Sequence, residues 1–111
     1  MAVIDSRQLI FDLEAIRASL SCDSYVARQL QLAPSDRDVV YLLPDDQSVE
    51  ITQNDPSEEG TQAIIHRLTA MQVAALLIAY CIRSGIPVPR NCRKTINIRA
   101  EDIALLFEKR L

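Results

Sequence analysis

Five cations, Arg83, Arg90, Arg93, Lys94 and Arg99, fall within seventeen residues that contain no carboxylate. Guanidinium groups engage phosphates through paired hydrogen bonds and ammonium groups do so as point charges, so this segment is the candidate polyanion site. Pro87 and Pro89, just before it, hold the backbone extended and would present the cations at little ordering cost. The segment has no interleaved aromatic ring on which a base could stack. The chain as a whole is acidic, with a net charge of −3 and a pI near 5.0. That composition favours the alternative: a solvated face, or one that pairs with the acidic loop of residues 53–60.

His66 is the one imidazole, and it stands beside Arg67 just before the most apolar stretch of the chain. The fragment His66-Arg67-Leu68, followed by Gln72-Val73 and Leu76-Leu77, is similar to the His box of sensor histidine kinases, where an exposed histidine on a bundle helix accepts phosphate. The resemblance implies His66 as a phosphoacceptor. It departs from the pattern at Thr69, Ala70 and Met71, and Gln72 is displaced by one. No nucleotide-binding glycine motif accompanies it, in a chain with only two glycines. The residues themselves favour a half-exposed structural histidine, and no family is identified.

Other chemistry is sparse. Asp45-Asp46 and Glu58-Glu59 lack the alternating oxygen ligands and sharp glycine turn of a calcium loop. Cys22, Cys81 and Cys92 are odd in number and widely spaced. With a single histidine they indicate neither a zinc site nor a disulfide framework, and reduced thiols fit a cytoplasmic location. The N-terminus has no secretory signal pattern. Nothing resembles a nucleophile elbow or a P-loop, and His66 is the only base a serine or cysteine nucleophile would have. The sequence therefore predicts no catalytic residue, no metal, no cofactor and no enzyme activity.

The elements that would position these residues centre on 68–85, where Val73 to Ile82 is an unbroken run of ten apolar residues. Ala, Leu, Met and Gln make it helical, and Gly85 followed by Pro87 ends it. A membrane span needs roughly 20 apolar residues, so protein must cover this helix instead. Ile64, Leu68, Met71, Ala75, Ile78 and Ile82 recur at alternating spacings of four and three. This predicts one long helix, or two with a break near Thr69, carrying a seam that packs internally or pairs two subunits. Ile64, Leu68, Met71, Ile78 and Ile82 are thus the candidate self-association residues.

Upstream, Asp5 and Gln8 predict a helix start, with Leu9, Leu13, Ile16 and Leu20 as its stripe to about Ser21. A second helix is expected over 25–32, stopped by Pro34. Val39 to Leu43 and Ser48 to Thr52 read as a hairpin about Pro44-Asp45-Asp46, with 95–99 as a third strand. Residues 100–111 suit a C-terminal helix, with a returning strand after Ala100-Glu101-Asp102 as the alternative. Charge is divided along the chain: residues 1–60 carry −8 and residues 61–111 carry +5.

The expectation is one α+β domain over 1–111, with two N-terminal helices, a three-stranded antiparallel sheet and a central apolar helix. Its expected role is a small cytoplasmic interaction or regulatory module, partnered by a second copy or another protein, with no membrane association. The alternatives are a nucleic-acid or polyanion binder using 83–99, and a phosphorelay protein using His66.

Overall fold

The computed structural model describes residues 3–22, 24–30, 32, 38–54 and 63–111. They form an α+β fold of two three-stranded antiparallel sheets and three helices. The elements run β1 (Ile4–Phe11), α1 (Leu13–Ser21), α2 (Tyr25–Gln29), β2 (Val39–Leu43), β3 (Ser48–Asn54), β4 (Ala63–Thr69), α3 (Ala70–Arg83), β5 (Arg93–Ile98) and β6 (Ile103–Arg110). The first sheet has the order β1-β6-β5 and the second β2-β3-β4. α3 packs against β3, β4 and β5 and is flanked by α1 and α2. Leu77 and Cys81 on its inner side are 0 % exposed. No described helix is long and apolar enough to cross a membrane.

Four expectations change. The helix placed from Asp5 begins instead at Leu13, capped by Asp12, whose Oδ1 accepts from Ala15 N at 2.8 Å. Residues 4–11 are strand β1. The apparent stripe joined two periods: Leu9 and Phe11 face inward at strand spacing, while Ile16 and Leu20 do so at helical spacing.

The long helical seam is likewise divided. Ile64 and Leu68 lie on β4, where β-branched Ile64 and Ile65 favour an extended chain. Thr69 is the true start of α3, with its side chain accepting from Gln72 N and the Gln72 side chain accepting from Thr69 N.

The hairpin forms as expected, from Val39 paired with Thr52 to Leu43 paired with Ser48, but its third strand is β4 and not residues 95–99. β5 pairs with β6, so the C-terminal helix is replaced by the alternative, a returning strand. β6 is the middle strand of its sheet and buries Ile103, Ala104, Leu105 and Phe107; pairing on both sides overrides the helical propensity of the segment. The expected stop at Pro34 and residues 55–60 of the acidic loop lie outside the described residues.

One side chain links the hairpin to the first sheet. Gln47, at φ 47°, donates through Nε2 to Pro44 O at 2.7 Å and Ile98 O at 2.8 Å, and accepts through Oε1 from Ile98 N at 2.9 Å. Its amide stands in for a neighbouring strand at the open edge of β5. The two elements that sequence reasoning joined as one sheet thus lie in different sheets, bridged at this corner by Gln47.

Candidate functional site

The end of α3 sets the site's geometry. Gly85 takes φ 73°, Ile86 N donates to Cys81 O at 2.8 Å and Gly85 N to Ile82 O at 3.3 Å. This pair of bonds reverses the chain so that Ile86 meets the helix's last turn. Pro87 and Pro89 then keep the return extended, and Asn91, at φ 56°, turns it into β5. The returning loop lies alongside the last turns of α3. Between them is an open groove of about 470 Å³ lined by Ile78, Ile82, Val88, Pro89, Asn91, Arg90 and Lys94.

The floor of this groove is aliphatic and its rim carries two cations. Neither Arg90 nor Lys94 has an ion-pair partner among the described residues. Ile82 is 69 % exposed, and the same side of α3 continues through Ala75 and half-buried Ile78 to Met71, which is 84 % exposed. A surface helix ordinarily places charge on this side.

The predicted cations therefore separate. Arg90 and Lys94 come together at the groove. Arg93 alternates to the other face of the sheet, opposite Glu108 in the β5–β6 register. Arg99 bonds through Nε to Asp102 Oδ1 at the β5–β6 turn, and that hydrogen bond holds its guanidinium protonated still more firmly. Arg83 ends α3 beside Ile82 on an exposed surface.

Of the predicted self-association residues, Met71, Ile78 and Ile82 share one side of α3. Leu68 is 2 % exposed and belongs to the core, and Ile64, 49 % exposed, lies on β4. Val88, Pro89 and Asn91 were not singled out as site residues. The signal was present, because a C′ glycine followed by Pro-x-Pro returns the chain over the turn it has just left.

His66 lies on β4, so the helical presentation implied by the His box is replaced by a strand. It is half-buried on the inner face of the second sheet, beside Ile51. Buried Gln53 donates from Nε2 to Asp38 Oδ2 at 3.1 Å, leaving Gln53 Oε1 to accept from His66 Nε2 at 2.9 Å. This network assigns the proton to Nε2. Arg17 Nη1 donates to Asp38 O at 2.9 Å, tying α1 to the same network. Asp46 makes a 2.7 Å ion pair with Arg67. Among the described residues no cluster of His, Cys, Asp and Glu could hold a metal ion. Burial pushes the Cys81 thiol above its ordinary pKa, with the charge of Arg7 opposing the shift.

Comparison of the chain with protein-family models, with curated proteins and with solved structures finds no match in any of the three.

Proposed function

We propose that this chain is a small protein-interaction module that holds an acidic, apolar-anchored segment of a partner protein in the groove beside α3. The observation that carries the reading is the pairing of an aliphatic floor, Ile78, Ile82, Val88 and Pro89, with the cationic rim of Arg90 and Lys94. Apolar anchors supply affinity by leaving water, while rim charges select a partner of opposite sign and speed its encounter. The groove has no aromatic ring, which favours a peptide over nucleic-acid bases as the occupant.

Selection from a random peptide display library against the immobilised chain tests this. The expected winners combine Asp or Glu with Leu, Ile or Phe, weaken as salt rises, and bind about tenfold less well to Arg90→Glu/Lys94→Glu. No enrichment, or enrichment of neutral or basic peptides, sinks the reading. Preferential capture of a labelled oligonucleotide, with a steep salt dependence, would move the assignment to a polyanion.

A second reading is self-association through the outer side of α3, favoured by Met71, which lies outside the groove and is more exposed than Ile82 is within it. A sedimentation coefficient that rises with concentration in wild type and not in Met71→Glu supports it.

A further inference from the structure

β1 is an outer strand of the first sheet, paired with β6 on one side only. Leu111 N donates to Val3 O at 2.8 Å, continuing the register that runs from Ile4 opposite Arg110 to Phe11 opposite Ile103. This fixes which backbone groups face outward. Odd-numbered residues of β1 bond to β6, so the N–H and C=O groups of Ile4, Ser6 and Gln8 point to the open edge. Two of the other edges are met by side chains, Gln47 at Ile98 of β5 and Arg17 at the carbonyl of Asp38 just before β2, while β4 is a further outer strand. No hydrogen bond from another described residue reaches the outward groups of β1. The edge is eight residues long, has no proline and no lysine, and exposes Val3 and Ile4. Natural sheets rarely leave such an edge unprotected.

We infer that β1 pairs with β1 of a second copy, antiparallel about a two-fold axis at Ser6, to make a continuous six-stranded sheet. The charges choose the register. With Ser6 opposite its own counterpart, Asp5 faces the partner's Arg7 and Arg7 faces the partner's Asp5, both in the closely spaced pairs where side chains meet best. Val3 then lies against the partner's Leu9. Shifting the axis by one residue, to Arg7 or to Asp5, sets like charges opposite each other. An axis at Gln8 leaves Asp5 facing Phe11 and Arg7 facing Leu9. Asp5 and Arg7 are exposed and have no ion-pair or hydrogen-bond partner among the described residues, so both are available. The contact is isologous and closes at two copies. Asp5 and Arg7 share a cleft with Pro89, which also lines the α3 groove, so the two surfaces adjoin while each subunit keeps its own groove.

Sedimentation with charge reversal tests the pairing. Asp5→Arg and Arg7→Asp should each weaken the dimer about tenfold, and the double variant Asp5→Arg/Arg7→Asp should recover most of the loss. Circular dichroism confirms that each variant is folded. In a Cys22→Ser/Cys92→Ser background, Ser6→Cys should oxidise to a covalent dimer faster than Gln8→Cys, because residues paired across the axis lie about 5.5 Å apart at Cα, within disulfide reach. A wild type that is monomeric at high micromolar concentration overturns the inference. So does a double variant no better than the singles, or equal crosslinking at Ser6 and Gln8. Met71→Glu should leave the dimer intact; if it abolishes the dimer, α3 is the interface and the strand pairing is wrong. The peptide-selection result is independent of all these outcomes.

Discussion

The two sides of α3 are built from the same kinds of residue and end in opposite surroundings. Val73, Leu76, Leu77 and Cys81 are enclosed by α1, α2, β3, β4 and β5, while Met71, Ala75, Ile78 and Ile82 look outward. A helix that is apolar around its circumference signals burial. Here the fold supplies cover for one side only. The difference lies in the neighbours and not in the helix, and it separates the residues that hold the fold from those that remain available to a partner.

Leu77→Ala should break the inner side most severely, lowering unfolding free energy by about 2–5 kcal/mol in chemical denaturation, as expected for a large side chain deleted from a packed core. Gln47→Ala comes next. It strands the N–H and C=O of Ile98 at the corner between the sheets, for an expected loss of about 1–3 kcal/mol in the same measurement. Thr69→Ala removes the cap that starts α3 and should cost about 1 kcal/mol.

Ile82→Glu should change stability by no more than about 0.5 kcal/mol, yet remove binding of the selected peptides. An Ile82→Glu variant as destabilised as Leu77→Ala would mean that both sides are packed in solution, and the contrast would disappear. The pH dependence sharpens the inner side further. The Cys81 thiol titrates at a higher pH in the folded chain than in the unfolded one, so its contribution is fully present below the unfolded value near 8.5. It is lost as pH rises through the folded value. Thermal melts of wild type and Cys81→Ser across that window should show a steeper alkaline decline in the wild type.

The sequence made α3, its ending at Gly85 and the 39–52 hairpin legible, because each has a local cause: a long apolar helical run, a left-handed cap, and a proline turn between alternating segments. What it hid were decisions made at a distance. Leu9 satisfied a helical stripe and a strand alternation equally well, and only pairing with β6 decides between them. Residues 103–110 have helical propensity, and their place between β1 and β5 overrides it. At the site, sequence reasoning found Ile78 and Ile82 as one set and Arg90 and Lys94 as another. Their meeting in one groove depends on the reversal at Gly85. The five cations part for a simpler reason: neighbours on a strand point to opposite faces, so Arg93 and Lys94 face apart.

Surface turns usually accept inserted residues, because their backbone makes few commitments elsewhere. The turn at Pro44–Gln47 should be an exception. The amide of Gln47 must arrive at a backbone position 51 residues further along the chain, so lengthening the turn by even one residue would carry it out of reach. Sequence drift in this hairpin should therefore accumulate in the identities of Asp45 and Asp46, while the number of residues between the strands stays constant.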